Sequence, residues 1–342
     1  MKKVATITLD DVAKLAKVSR ATVSRVINTP DQVSSEVVER TNLAIKQLRY
    51  TPNRFARALT VGRTNSIGLV FFEDVRTMFT NPFWGDVLNA LYENLAANNL
   101  SCNLIAQSSS LPLAADSNLD MYENFLSQGN SDGYIFFGQY PELIEKKFGL
   151  AHMPIVIFGK PFYNNSEFSY VDTDNVGGAT KAVNYLANKG KTRIATITGP
   201  TESGGGFDRY LGYKNGLVEN HLKYDPNLVA FGEWTKDSGT RAMNEIFSKT
   251  QDIDAIFVAS DLMAVGAMQA IQDRGLRVPQ DIALIAFDNS SLAVMSRPSM
   301  TSVEQPFDKI GEELVKAVLK AIEGISHQSR VLGTEIIERE SG

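Results

Sequence analysis

Apolar residues recur at helical spacing in three short stretches at the start of the chain. The first follows Thr8, which has an acid three residues later and so predicts a capping box. The second covers residues 20–28 and follows Ser19, a residue type that caps helices. The third covers about residues 34–48. Two short helices joined by a tight turn, with a third that completes a small core, predict a helix-turn-helix.

From residue 65 onward, near-continuous apolar runs alternate with helical stretches. Runs of this kind are typical of parallel strands that are buried on both faces. They fall into two sets, so we expect an α/β body of two lobes, each a doubly wound parallel sheet, behind a small all-α head. The predicted strands cover residues 66–72, 102–106, 133–137, 155–158, 193–198, 255–259 and 282–287.

Charge separates the same two regions. The chain of 342 residues has a formal net charge of −5, but residues 1–64 carry twelve Lys/Arg and five Asp/Glu. The head is therefore basic and the remainder acidic, which indicates an anionic partner for the head alone.

The side chains of the second predicted helix suit the recognition of bases and phosphates. Arg20 and Arg25 can each donate two hydrogen bonds to a guanine, Thr22 and Ser24 can reach phosphates or bases, and Ala21 offers a methyl group to thymine. This chemistry favours double-stranded DNA as the partner. The alternative is a generic three-helix subdomain with a solvated polar face.

A second short helical segment follows the head. Residues 50–53 break the helical pattern, and residues 54–59 offer one or two turns, which are too short to be stable alone. A segment of this kind folds against a partner. Two copies side by side can enter a minor groove and wedge Leu59 between base pairs. The alternative is a plain linker.

Four motifs occur together in this region: residues 8–13 (TLDDVA), 18–19 (VS), 22–28 (TVSRVIN) and 50–53 (YTPN). Their combination closely resembles the lactose/galactose repressor family of bacterial regulators. The resemblance implies a homodimer that reads two half-sites of a pseudo-palindromic operator, with hinge helices that open the minor groove between them. The DNA-contacting residues predicted by the pattern and the resemblance are Thr8, Ser19, Arg20, Ala21, Thr22, Ser24, Arg25, Asn28, Tyr50, Asn53, Arg54, Ala56, Arg57 and Leu59.

The resemblance also implies the domain organisation. We expect a DNA-binding domain at residues 1–52, a hinge helix and linker at 53–64, and a periplasmic-binding-protein-like core at 65–342. In that core the chain crosses between the lobes near residues 167, 301 and 330. The first lobe then takes about 65–167 and 302–330, and the second about 168–301 and 331–342.

Ligands of doubly wound sheets bind beyond the carboxyl ends of the strands, so residues at strand ends are candidates for a cleft. The resemblance assigns Arg209 and Asp288 to sugar hydroxyls and Trp234 to an aromatic cleft face. Surface, turn and packing roles are the alternatives. Asp261 is expected to cap a helix. The cleft residues predicted in the second half of the chain are Arg209, Trp234, Ser260, Asp288 and Gln305.

An aromatic insert before the first helix of the body bears on the effector. Residues 79–84 (FTNPFW), 158–161 (FGKP) and 172–175 (DTDN) are similar to maltose-type members of the family. Phe83 and Trp84 can extend an aromatic platform for an oligosaccharide, although core packing explains them almost as well. Lys160 stands where lactose-type members carry an acid, which counts against a galactoside. Maltose or another α-glucoside is therefore the expected effector.

Other function classes lack their characteristic residues. The Gly-rich loop carries no Gly-Lys-Ser/Thr, the first strand is not followed by GxGxxG, and no nucleophile–base constellation is present, so we expect no enzyme and no cofactor. One cysteine and three scattered histidines predict no metal site, and the acids of residues 172–175 are assigned to capping and crossover geometry. Without an export signal or an apolar run of membrane length, the protein is expected in the cytoplasm, with no membrane partner.

The predicted function is therefore a homodimeric repressor of a carbohydrate-utilisation operon that a sugar releases from its operator. A dimer is favoured over a tetramer because no heptad repeat follows residue 330. The alternative is a regulator of the same fold whose DNA binding is strengthened by a co-repressor or a partner protein.

Overall fold

The computed structural model describes residues 7–51, 62–107, 116–138, 153–161, 168–325 and 329–342. It divides into two compact units, Met1–Asn65 and Ser66–Gly342. The predicted contacts Asn53, Arg54, Ala56, Arg57 and Leu59 lie outside the described residues.

The smaller unit contains three helices within its described part: α1 (Leu9–Ala16), α2 (Arg20–Asn28) and α3 (Ser35–Leu48). Thr8 and Asp11 form the predicted capping box, with a hydrogen bond of 2.8 Å from the Thr8 N–H to the carboxylate. Ser19 caps α2 by accepting the Thr22 N–H at 3.0 Å. The sequence therefore predicted these helix starts to within a residue.

The core of this unit is small and aliphatic. Val12 and Val23 are fully buried, and the half-buried side chains of α3 and Tyr50 pack around them. Leu15, although apolar, is exposed on α1 and does not belong to this core. The mini-core joins all three helices, as a helix-turn-helix requires.

The larger unit contains two six-stranded sheets. The first sheet has the order β11-β5-β4-β3-β1-β2 and the second the order β12-β10-β9-β8-β6-β7. Except for the antiparallel pair β10–β12, the neighbouring strands are parallel. The strands are β1 (Ser66–Asp74), β2 (Ser101–Gln107), β3 (Gly133–Phe137), β4 (Ile155–Phe158), β5 (Ser169–Thr173), β6 (Ile194–Thr198), β7 (Val229–Phe231), β8 (Ala255–Val258), β9 (Ala283–Asp288), β10 (Thr301–Glu304), β11 (Arg330–Leu332) and β12 (Glu335–Ile337).

Helices connect the strands and pack on the sheets. Each sheet with its helices is called a lobe here, the first lobe for the β1 sheet and the second lobe for the β6 sheet. The helices of the larger unit are α4 (Val75–Thr80), α5 (Pro82–Ala97), α6 (Asp116–Ser127), α7 (Asn175–Asn188), α8 (Gly204–Glu219), α9 (Lys236–Lys249), α10 (Asp261–Gln272), α11 (Ser291–Met295) and α12 (Phe307–Ile322). None of the helices in the described ranges is long and apolar enough to span a membrane.

The chain crosses between the lobes after β5, after β10 and after β11. The boundaries expected near residues 167, 301 and 330 are therefore a few residues too early, because each of these strands belongs to the preceding lobe. The segment after residue 330 forms β11 in the first sheet and β12 in the second, because it contains the third crossing.

Loops beyond the carboxyl ends of the strands bring the two lobes together. Thr173, at the end of β5, donates from its hydroxyl to the Gln305 side chain at 3.0 Å. The helices α5 and α11 also approach each other, and the backbone N–H of Ser291 in α11 favours the ionised form of Asp86 in α5. The strand ends of both sheets thus border one region, where α/β sheets place their ligands.

Candidate ligand site and nucleic-acid interface

Arg209 makes three hydrogen bonds at the border between the lobes. Ser203 caps α8 by accepting the Gly206 N–H at 3.1 Å, and the buried Arg209 projects from the second turn of this helix. Its Nε donates to Asn175 at 2.9 Å, and its Nη1 donates to the Ala259 carbonyl at 2.5 Å and to Asp288 at 3.3 Å. The guanidinium is held rigidly by partners from several elements.

Asp288 connects that guanidinium to the crossover between the lobes. Gln305 donates from Nε2 to the same Asp288 oxygen at 2.7 Å, and its carbonyl oxygen accepts from Thr173 at 3.0 Å. These bonds form one chain from the end of β5, through the crossover, to the end of β9. The predicted Arg209, Asp288 and Gln305 therefore lie together.

Burial dominates the electrostatics of this cluster. It raises the pKa of Asp288 to about 6, against the opposing effect of the Arg209 charge. It also raises the pKa of Asp172, although backbone N–H groups of Lys160 and Thr173 and the Arg209 charge favour its ionised form. Arg209 has a lowered pKa because it is buried, and the charges of Asp288 and Asp172 limit this shift. One cation between two carboxylates gives a site that can both donate and accept hydrogen bonds.

Two aromatic rings flank the guanidinium. The Arg209 Cζ lies 3.8 Å from the centroid of Phe287 and 5.5 Å from that of Trp234. Trp234 is half-buried and covers Gly199, where a Cβ would lie 2.1 Å from the indole ring. Position 199 therefore has to be glycine for Trp234 to keep this place.

Phe83 and Trp84 belong to the packed interior of the first lobe. Trp84 is 6% exposed, and its ring meets Phe71, Phe83 and Phe137 at centroid distances of 5.3, 4.9 and 6.1 Å. Phe83 is half-buried and packs edge-on against Phe307. The structure thus places Trp84 in the core and leaves Phe83 at its margin.

The remaining predicted cleft residues have mixed roles. Lys160 is exposed, and its backbone N–H donates to Asp172 at 2.9 Å. Ser260 caps α10 by accepting the Met263 N–H at 3.2 Å, which is the role that the sequence assigned to Asp261. Asp261 instead accepts hydrogen bonds from Ser290 and Ser302. The cap assignment was wrong by one residue because Ser and Asp both suit the position.

Sequence reasoning missed two members of the site. Asp172 accepts from Asn175 at 3.1 Å, and Asn175 in turn accepts from Arg209. Asp174 does cap α7, accepting the Gly177 N–H at 2.8 Å. The signal was the polar run at residues 172–175 directly after a strand. In the described ranges, no group of three or more His, Cys, Asp or Glu side chains could hold a metal ion.

The second helix of the small unit presents a partly open polar face. Arg20, Ala21 and Arg25 are exposed, and Arg20 lies 3.7 Å from Asp10 in an ion pair on the surface. Thr22 is half-buried and bonds Ser19 Oγ at 2.9 Å.

The other predicted contacts of this unit are partly engaged in its own structure. Ser24 and Asn28 are half-buried, and the Asn28 amide nitrogen donates to Ser24 at 3.3 Å. Thr8 forms the capping box of α1, and Tyr50 packs on the mini-core. Arg20, Ala21 and Arg25 are therefore the side chains of α2 most open to a nucleic acid.

Comparison with known proteins agrees with this arrangement. Residues 8–53 match the model for bacterial regulatory proteins of the lacI family, and residues 183–342 match that for a periplasmic binding protein-like domain. The HTH-type transcriptional regulator CelR of Thermobifida fusca is 36% identical over 98% of each chain. MalR of Clostridium butyricum, also named an HTH-type transcriptional regulator, is 32% identical over 97% of this chain and 98% of its own.

The chain belongs to the LacI family.

Solved structures of the LacI family share the whole fold. A complex of the regulator CelR with cellobiose aligns with a TM-score of 0.76 at 35% identity, covering 98% of this chain and all of the other. The lac repressor dimer bound to operator and an anti-inducer aligns with a TM-score of 0.84 over 98% of each chain, at 24% identity. These relatives are transcriptional regulators, and so, as a LacI-family member, is this protein.

Proposed function

We propose that this LacI-family protein is a repressor that binds its operator as a homodimer in the cytoplasm and is released by a sugar. The observation that carries the sugar assignment is the Arg209–Asp288 pair, which is buried where the strand ends of both lobes meet and is flanked by Trp234. A pyranose offers vicinal hydroxyls, which suit a guanidinium and a carboxylate, and an apolar C–H face, which suits an indole ring.

The proposed effector is a disaccharide of glucose. The sequence favours maltose through its likeness to maltose-type members, and MalR is a relative at 32% identity. Cellobiose is the second candidate because the CelR structure at 35% identity is a complex with that sugar. The two differ in the stereochemistry of one glycosidic bond, so they are the informative pair of ligands to compare.

Sugar binding has to favour one relative position of the lobes. The hydrogen bond between Thr173 and Gln305 and the approach of α5 to α11 link the lobes. A sugar that binds one arrangement of these contacts more tightly shifts the population towards it. The proposed outcome is an arrangement in which the dimer no longer presents its two recognition helices to one operator.

On the DNA side, α2 is the proposed recognition helix, with Arg20, Ala21 and Arg25 facing the major groove. Arg25→Ala should weaken specific binding by about 1–3 kcal/mol, because a bidentate arginine–guanine contact is lost. Arg40→Ala is the matched control, since it removes the same charge from an exposed position on α3. Equal effects of the two substitutions would contradict the assignment of α2.

The deciding experiment is a titration of operator binding. A duplex selected by the purified protein from random sequence serves as the probe, and binding is followed by fluorescence anisotropy with maltose, cellobiose or glucose. Loss of binding with one disaccharide supports release by that sugar. Unchanged affinity with all three sugars at saturation would contradict the proposal, and stronger binding would favour the co-repressor alternative.

A further inference from the structure

Asp261 is a fully buried acid at the start of α10 that the proposed sugar contacts do not use. Its Oδ2 accepts the Ser290 N–H at 2.6 Å and the Ser290 hydroxyl at 2.9 Å, and its Oδ1 accepts the Ser302 hydroxyl at 2.7 Å. The helix cap is already supplied by Ser260. Capping therefore does not account for this carboxyl group.

The segment that Asp261 fastens has an unusual backbone. Asp288 has a φ of 119° and Asn289 a φ of 58°, both in the region that favours glycine. Two consecutive residues in such conformations persist only where surrounding bonds hold them. Asn289 donates its N–H to Ser302 Oγ at 3.1 Å, so Ser302 and Asp261 together hold the turn that follows Asp288.

Asp261 lies beside Asp288 in the fold. Its backbone N–H favours the ionised form of the Asp288 carboxylate, and its side chain holds Ser290 two residues further on. We propose that Asp261 is a positioning residue, which fixes the Asp288 carboxylate for sugar hydroxyls by holding the strained turn behind it. This inference rests on the proposed sugar site.

The protonation of the cluster fits this role. Burial, followed by the charge of Asp288, raises the pKa of Asp261 to about 8, above that of Asp288, which burial raises to about 6, so Asp261 is the member of the pair that favours the neutral form. The other charges near the pair are Arg209, which bonds Asp288, and Asp172, which acts on Arg209. A neutral acid keeps its acceptor for Ser290 without placing a second negative charge beside the ligand. Asparagine has the same shape as a neutral aspartic acid, so an asparagine at position 261 should preserve this role.

The test compares Asp261→Ala, Asp261→Asn and a matched control, Asp254→Ala. Asp254 directly precedes β8, at the amino end of a strand of the same sheet, and accepts the Thr192 and Arg193 N–H groups at 2.8 and 3.0 Å and the Thr192 hydroxyl at 3.3 Å. The Asp254→Ala variant therefore loses a similar set of hydrogen bonds, but far from Asp288. Affinities for maltose and cellobiose are measured by calorimetry, and exchange of the Asn289 and Ser290 amides is measured without sugar.

We expect Asp261→Ala to weaken binding of the sugar that wild type binds by about 10- to 100-fold and to speed exchange of both amides, because a buried donor is left unpaired. Asp261→Asn should restore both to within about threefold, and Asp254→Ala should change neither. Should Asp261→Ala fail to fold, Ser302→Ala removes the second anchor of the same turn and should show the smaller effect in the same direction.

Wild-type affinity and amide exchange in all Asp261 variants would overturn the inference, as would equal losses in Asp261→Asn and Asp261→Ala. If wild type binds neither sugar, the effector proposal fails, and amide exchange still decides whether Asp261 fixes the turn.

Discussion

The two lobes of the larger unit are built on the same strand order but carry different chemistry at the edges that meet. The first lobe ends in a packed aromatic group around Trp84, Phe137 and Phe158. The second ends in a hydrogen-bonded group around Arg209 and Asp288. One topology can therefore supply an apolar support and a polar recognition surface, because strand-end side chains are free to vary while the buried strands are not.

The largest expected effect is on stability, and it distinguishes Trp84 from Trp234. Trp84→Ala should lower the free energy of unfolding by about 3–5 kcal/mol, because it opens a cavity in an aromatic core. Trp234→Ala should cost clearly less stability, since Trp234 is only half-buried, but should weaken sugar binding. Urea unfolding and calorimetry check the pair. A Trp84→Ala protein of normal stability would contradict the core assignment.

The second prediction concerns the removal of Arg209 from the hydrogen-bonded group around Arg209 and Asp288. Arg209→Ala should weaken sugar binding by about 2–5 kcal/mol, because Asp288 stays buried without its cation. Arg277→Ala is the control: Arg277 is exposed and donates to Asp281 at 2.8 and 2.9 Å, so its removal should change stability little and leave sugar affinity unchanged. Calorimetric titration of both variants with maltose and cellobiose measures the difference.

The third prediction concerns pH. Folding raises the pKa of Asp261 from 3.8 to about 8. Between these two pH values, Asp261 keeps its proton in the native state but loses it in the unfolded chain. Stability should therefore fall as pH rises from about 4 to 8, by at most about 1.4 kcal/mol per unit, and level off above that. Asp261→Asn should flatten this slope in unfolding measured across the range. An equal slope in the variant would exclude Asp261 as its source.

The smallest effect tests how closely the lobes approach. A Cβ on Gly204 would lie 2.9 Å from the Lys160 carbonyl oxygen, whereas one on Gly205 meets nothing nearer than 4.0 Å. Gly204→Ala should therefore weaken sugar binding by about 1 kcal/mol relative to Gly205→Ala. Both substitutions gain the same intrinsic helix propensity, so their difference reports the contact between lobes. Identical sugar affinities would show that this contact does not matter for binding.

The same contrast explains what could be predicted from the sequence. The resemblance to the lactose/galactose repressor family assigned Arg209 and Asp288, and the position of Gln305 on a crossover made it a candidate, before their contacts were known. Trp84 was ambiguous because an aromatic residue at the start of a helix suits either a core or a ligand. The bonds of Asp261 could not be foreseen, since Ser290 and Ser302 reach it only through the fold.

The final crossing has a consequence for how the protein is made. β11 pairs with β5 in the first sheet, and β12 pairs with β10 in the second. Neither sheet therefore has all its strands until β11 and β12 have been synthesised. The three helices of the small unit involve only residues up to Leu48 and need none of that material. At ordinary translation rates, the small unit can be ready on the ribosome on the order of tens of seconds before the larger unit. A nascent chain therefore has its helix-turn-helix before it has the unit that is proposed to bind the sugar.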